Sequence, residues 1–161
     1  MEYMVMPISR TRAQLRSATA ATSGVTAASI VAIDTKKVYS ISVGGSGLVM
    51  SGEDEDTVAM RAWVGSIGQQ WKFEYNSATN WYYIRHVATG KLLEARSPYE
   101  TGQQIGLGMS TASGKRHVWR LVDYGAGILL ENRDVVDNFQ NQWVVDGSDN
   151  KVGAKPVLWT Q

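Results

Sequence analysis

Cysteine is absent from the chain, which removes disulfides, thiolate zinc sites and cysteine nucleophiles. The formal net charge over 161 residues is only +1, too small for broad electrostatic attraction to nucleic acid or anionic lipid. No apolar run approaches the length needed to cross a bilayer, so membrane insertion is not expected. The leading residues Met1-Glu2-Tyr3-Met4-Val5-Met6-Pro7 have neither the basic start nor the apolar core of a signal peptide. With the missing cysteine, this suits a cytoplasmic protein or one secreted without a signal peptide of the usual kind. Residues Ser9 to Gly24 carry no acid and are rich in Arg, Ala, Ser and Thr. That composition fits a short basic helix beginning near Ser9, a plain tail or a mitochondrial transit peptide. It sets residues 1–24 apart from a single domain over residues 25–161.

What is present points to strands. Sixteen glycines, six tryptophans and seven tyrosines, with only short apolar runs between them, favour many short strands and tight turns over long helices. In Gln69-Gln70-Trp71-Lys72-Phe73-Glu74-Tyr75 large apolar and polar residues alternate, placing Trp71, Phe73 and Tyr75 on one face of a half-buried strand. The polar turn Asn76 to Asn80 then leads into a second strand at Trp81-Tyr82-Tyr83-Ile84, which makes a hairpin. The expected fold class is all-β.

The same grammar recurs. Val38-Tyr39-Ser40-Ile41, Trp81-Tyr82-Tyr83-Ile84 and Gly127-Ile128-Leu129-Leu130 begin alike, about 43 to 46 residues apart, the scale of a four-strand unit. A second strand follows each, at Gly47 to Met50, Gly90 to Glu94 and Gln142 to Asp146. A third lies at Val58 to Trp63, Gln104 to Gly108 and Lys155 to Trp159. A fourth closes two of the units, at Gln69-Gln70-Trp71 and His117-Val118-Trp119. Three such units, with the Gln-x-Trp motif complete at Gln69-Gln70-Trp71 and only its Trp kept at His117-Val118-Trp119, resemble the ricin-B-type β-trefoil lectins over roughly residues 38 to 161. That resemblance implies a six-stranded barrel capped by three hairpins.

The third unit stops before its closing tryptophan, and a barrel lacking one strand leaves two unpaired edges. One reading is a chain that ends short of that strand. The other is a circular permutation. Ala28 to Ile33 is strand-like and precedes the turn Asp34 to Lys37, so it is expected to pair with Val38 to Ser42 as the twelfth strand.

The tryptophans divide into two groups. Trp71 and Trp119 alternate with Phe73 and Leu121 as core residues, each contributing about 2 to 4 kcal/mol by burial. Trp63 and Trp159 end the third strands, where the resemblance implies a ring that stacks on a galactose-type sugar. Such a site needs a flat apolar surface and a nearby carboxylate or amide. The resemblance makes Asp146 with Trp159 the leading site, Asn150 a second hydrogen-bonding group, and leaves the amide before the closing tryptophan without a counterpart. The first unit keeps Trp63 and Gln69 but has Met50-Ser51 where the acid belongs. The second has Glu94 but Gly108 in place of the ring.

Other motifs are bland. Glu53-Asp54-Glu55-Asp56 lacks the alternating oxygens and central glycine of a calcium loop and reads as a solvated turn. His86 and His117 belong to no triad, and Arg85-His86 reads as lining a strand face. Gly44-Gly45-Ser46-Gly47 has no following Lys-Ser/Thr or helix and reads as a hairpin turn. No catalytic constellation, metal site or cofactor is implied. The resemblance implies a non-enzymatic lectin for galactose or N-acetylgalactosamine-type glycans. Each site would be weak, roughly high micromolar to millimolar, and strengthened by repetition or a homo-oligomer, with Arg10 to Arg16 as the candidate contact. The alternative is a protein-binding trefoil, a protease inhibitor or toxin-complex subunit, acting through Glu53 to Thr57 or Ser97 to Thr101.

Overall fold

The computed structural model describes residues 3–7, 29–42, 47–96, 104–109, 114–123, 128–134, 143–146 and 157–160. For residues 3–7, 128, 143–146 and 157–160 the backbone course alone is described. Among these residues the strands are β1 (Tyr3–Pro7), β2 (Ser29–Ile30), β3 (Val38–Ser42), β4 (Val49–Glu53), β5 (Thr57–Arg61), β6 (Trp71–Asn76), β7 (Trp81–His86), β8 (Leu93–Glu94), β9 (Gly106–Leu107), β10 (Trp119–Asp123), β11 (Ile128–Asn132), β12 (Trp143–Asp146) and β13 (Val157–Thr160). Short 3-10 turns, Ile67–Gln69 and Lys115–His117, lead into β6 and β10.

The wall runs β11-β10-β7-β6-β3, each neighbouring pair antiparallel. Three hairpins, β4–β5, β8–β9 and β12–β13, cap it. The repeat read from the sequence is visible in the register. Ser42 pairs with Val49, Arg85 with Leu92 and Glu131 with Val144, so each unit's first strand hands over to its hairpin at the equivalent residue. The fold is a β-trefoil. All-β character and the threefold repeat are as the sequence implies; among the described residues the first two lobes show four strands each and the third shows three, β11, β12 and β13.

Packing explains why these residues choose this arrangement. Ile41, Ile84 and Leu130 hold equivalent positions in the three first strands and are fully buried in one core. Trp71 and Trp119 are 0 % exposed, and each indole must also satisfy its N–H. Trp71 Nε1 donates to Met50 O at 3.1 Å, and Trp119 Nε1 donates to Leu93 O at 2.9 Å. Each closing tryptophan thereby ties its lobe's wall to that lobe's hairpin. A second tie recurs: opposite these tryptophans in the register stand His86 and Asn132. The His86 Nε2–H donates to Gly68 O at 2.8 Å, and Asn132 Nδ2 donates to Arg116 O at 2.8 Å, so each anchors the 3-10 turn of the preceding lobe.

Three expectations need correction. Of the run Ala28 to Ile33, the described residues Ser29 to Ile33 do not pair with Val38 to Ser42. Ser29 and Ile30 instead run antiparallel to the end of β10, Val31 N–H donates to Leu121 O at 2.9 Å, and Ile33 N–H donates to Tyr82 Oη at 3.2 Å. Val31 and Ile33 pack against the core on the way, and the turn at Asp34 then redirects the chain into β3. The far edge of β3 is taken by β1, which runs parallel to it from Tyr3–Val38 to Pro7–Ser42. The sheet therefore reaches into the segment that composition sets apart, and the permuted closing strand falls. The second correction is Tyr75. It does not share the buried face of Trp71 and Phe73; at the end of β6 it is exposed, bonded through its hydroxyl to Asn80 and edge-on to Tyr82. Finally, Arg85 and His86 part company: Arg85 pairs with Glu74 at the half-exposed face, while His86 is buried against Trp71, ring centroids 4.8 Å apart.

Two measurements test this packing. Trp71→Phe keeps an aromatic ring but orphans the buried Met50 carbonyl. Urea unfolding is expected to show a loss of about 1–3 kcal/mol, with Trp119→Phe losing a similar amount at Leu93. A change below about 0.5 kcal/mol in both would contradict the tie. The second concerns pH. Burial lowers the pKa of His86 from its ordinary 6.5, an effect partly offset by its bond to Gly68. The unfolded chain then binds the proton first, so stability is full above about pH 6.5 and falls as pH drops from there toward the folded pKa. Glu74, held low mainly by its hydrogen bond to Arg85, acts in a separate window below 4.5. His86→Asn, which copies Asn132, should lower stability yet remove the slope just below pH 6.5; an unchanged slope would exclude His86 as its source.

Candidate functional site

Each lobe presents its hairpin and third-strand exit at an equivalent place, and the three have diverged. In the first lobe β5 ends at Arg61, so Trp63 stands two residues beyond it in a loop, 42 % exposed. Gln69 is buried and spends its amide on this loop: Nε2 donates to Ala62 O at 2.7 Å and Oε1 accepts from Val64 N–H at 2.9 Å. Its two bonds bracket Trp63, so Gln69 is a positioning residue for the ring. At the place of an acid, Ser51 is buried.

The second lobe has filled its site from within. The Glu94 carboxylate, 13 % exposed, lies 3.1 Å from His117 Nε2, 3.3 Å from Arg96 Nε and 3.6 Å from Arg116 Nε. Gly108 permits this. A Cβ there would sit 2.2 Å from Glu94 Oε2 and 3.0 Å from His117 Nε2, so any larger residue, a ring included, would displace the carboxylate. Arg96 also donates to Asp56 O at 2.7 Å and Leu107 O at 3.1 Å, bonding the second lobe to the acidic turn of the first. Lys91 reaches the Glu55 carbonyl of the same turn. The Glu53 carboxylate pairs with Arg61. Among the described residues no group of three or more His, Asp or Glu is arranged to hold a metal ion.

In the third lobe the register carries the information. Val144 pairs with Trp159 and Asp146 with Val157 across the β12–β13 hairpin. Directly opposed residues share a face, as do residues two apart on one strand. Asp146 and Trp159 therefore lie on one face at diagonal positions, a spacing of about 7–8 Å between backbones that long and aromatic side chains can bridge. Asn150, the segment Arg10 to Arg16 and the loop Ser97 to Thr101 lie outside the described residues.

Sequence reasoning missed Arg96 and Arg116, whose partnership with Glu94 depends on distant turns, and it missed that Gln69 faces inward. Gly108, read only as a missing ring, was the signal for the former.

Comparison with known proteins agrees with the topology. Residues 29–108 match the family model described as ricin-type beta-trefoil lectin domain-like. No curated protein matches the chain. Among solved structures, the Macrolepiota procera ricin B-like lectin in complex with lactose superposes with a TM-score of 0.65 at 18% identity, covering 81% of this chain and 91% of that one. The designed 3-fold symmetric protein ThreeFoil gives 0.61 at 22% identity, covering 72% and 84%. A mosquitocidal holotoxin gives 0.58 at 15% identity; 71% of this chain is covered but only 14% of the toxin. At such identities these likenesses are of fold. With the family match over residues 29–108 and the threefold register together, the chain has the β-trefoil fold and is similar to the ricin-type beta-trefoil lectin domain-like family.

Proposed function

We propose that this protein binds carbohydrate without transforming it, and that its principal site is the β12–β13 hairpin of the third lobe. The observation that carries the reading is the register that brings Asp146 and Trp159 onto one face. An indole covers the apolar C–H face of a pyranose, and a carboxylate beside it accepts hydrogen bonds from adjacent hydroxyls. Galactose and N-acetylgalactosamine suit this pairing, since the axial hydroxyl leaves one face of the ring open to stacking. The fungal lectin's lactose complex supports the same class of sugar by analogy of fold. Asn150, four residues after Asp146 in the sequence, is a second donor to the sugar.

The other lobes contribute unequally. Glu94 is engaged by two arginines and a histidine, and a ligand hydroxyl would have to break those ion pairs to reach it. Trp63 has its ring in place with Gln69 behind it, but Ser51 is buried where the carboxylate is needed. One strong lobe makes for weak monovalent binding, and Arg10 to Arg16 would gather copies of the chain for avidity.

Retention on immobilised galactose tests the reading. Asp146→Ala and Trp159→Ala are each expected to abolish retention while leaving the circular dichroism spectrum intact; Glu94→Gln is expected to retain it. Full retention of both third-lobe variants would move the site elsewhere, and silence of the wild type across a dense glycan array would favour a protein ligand.

A further inference from the structure

The strand register allows the first and third lobes to be laid over one another residue by residue. Ser42 hands over to Val49 and Glu131 to Val144, so Val49 is to the first lobe what Val144 is to the third. Across the hairpins Val49 pairs with Arg61 and Val144 with Trp159, while Ser51 pairs with Ala59 and Asp146 with Val157. The place of the third lobe's indole is therefore taken by Arg61 in the first lobe, and the place of its carboxylate by Ser51. Trp63 follows two residues later, beyond the end of β5. Where the third lobe offers an acid and a ring, the first offers a neutral hydroxyl and a cation. The polarity of the site is reversed.

Arg61 keeps its charge on display. Its side chain is 43 % exposed, and its Nε donates to the carboxylate of Glu53, which stands on the same face of the hairpin. That bond orients the guanidinium through one nitrogen, while Nη1 and Nη2 have no partner among the described residues. Two parallel N–H groups on a planar fork match a planar carboxylate. Glu53 opposes an anion only weakly, because a half-exposed ion pair is screened by water. The other acids of the turn, Asp54, Glu55 and Asp56, lie beyond Thr57, which precedes Arg61 by about 13 Å along β5, more than a Debye length at physiological salt. Lys91 and Arg96, bonded to Glu55 O and Asp56 O, offset that turn further. The third lobe's Asp146 would repel a carboxylate, and in the second lobe Arg96 and Arg116 are paired with Glu94. Resting on the carbohydrate reading and extending it to a second ligand class, we infer that the first lobe binds a carboxylated sugar of the uronic-acid kind. Its carboxylate sits on Nη1 and Nη2 of Arg61, and its C–H face is offered the exposed indole of Trp63. Galactose lacks the carboxylate and leaves this site empty.

The test is an amide-resolved nuclear magnetic resonance titration of the full chain with sodium galacturonate, with galactose and acetate as controls. Galactose shares the hydroxyl pattern and acetate the carboxylate, so only the combination distinguishes the ligand. Saturable shifts at Arg61, Ala62 and the Trp63 indole N–H are expected with galacturonate and with neither control. Arg61→Gln is expected to weaken this response about ten-fold or more, and Arg61→Lys, which keeps the charge without the fork, to restore part of it. Arg61 is half-exposed at the end of its strand, so both variants are expected to keep the wild-type circular dichroism spectrum. No shift with galacturonate, an equal response to galactose or to acetate, or a full response from Arg61→Gln would each overturn the inference. Third-lobe binding of lactose is read on separate amides of the same spectra, so failure of the first-lobe site is told apart from failure of the third.

Discussion

The indole N–H of the closing tryptophan holds each described lobe together. A tryptophan buried to 0 % must place its one polar atom against an acceptor, and in both lobes that acceptor is a carbonyl in the hairpin's first strand. This requirement links wall to cap across more than twenty residues of sequence. A barrel wall and three hairpins could otherwise pack in several relative positions by hydrophobic contact alone, which is non-directional. The hydrogen bond selects one. His86 and Asn132 add the complementary tie, from the next lobe's first strand back to the turn before the tryptophan, so adjacent lobes set each other's geometry.

Once that frame is fixed, the residues around it are free to diverge, and the lobes show how. Gln69 and His117 occupy the same position before the closing tryptophan. The glutamine turns to the Trp63 loop and makes it rigid, whereas the histidine turns to Glu94 and joins an internal ion cluster. One substitution thereby separates a lobe that displays an aromatic ring from one that has consumed its own carboxylate. The third lobe keeps both an acid and an indole on one face of its hairpin. The proposal that galactose-type carbohydrate binding is concentrated in a single lobe rests on this divergence.

Much of the architecture was legible because it rests on local pattern. The alternation through Trp71 to Tyr75, the Asn76–Asn80 turn and the spacing of the three opening strands each report on a few consecutive residues, and the register reproduces them. Tyr75 departs because alternation carries no information about where a strand leaves the core. The run Ala28 to Ile33 departs for a related reason. Its β-propensity is real, yet propensity does not name a partner, and the end of β10 with the hydroxyl of Tyr82 outcompetes β3. Within the candidate site, Asp146 and Trp159 were named through the family resemblance, and the face they share came only with the β12–β13 register. The inward turn of Gln69 and the two arginines and histidine around Glu94 were not legible, because they arise from contacts between turns far apart in sequence.

The central claim is that the third-lobe hairpin meets the sugar, and an amide-resolved nuclear magnetic resonance titration of the isotope-labelled protein with lactose tests it most directly. Shifts confined to residues 143–160, with the amides around Glu94 and Gly108 unmoved, are the predicted result. A titration in which no amide responds, or in which the response centres on Glu94, would contradict it.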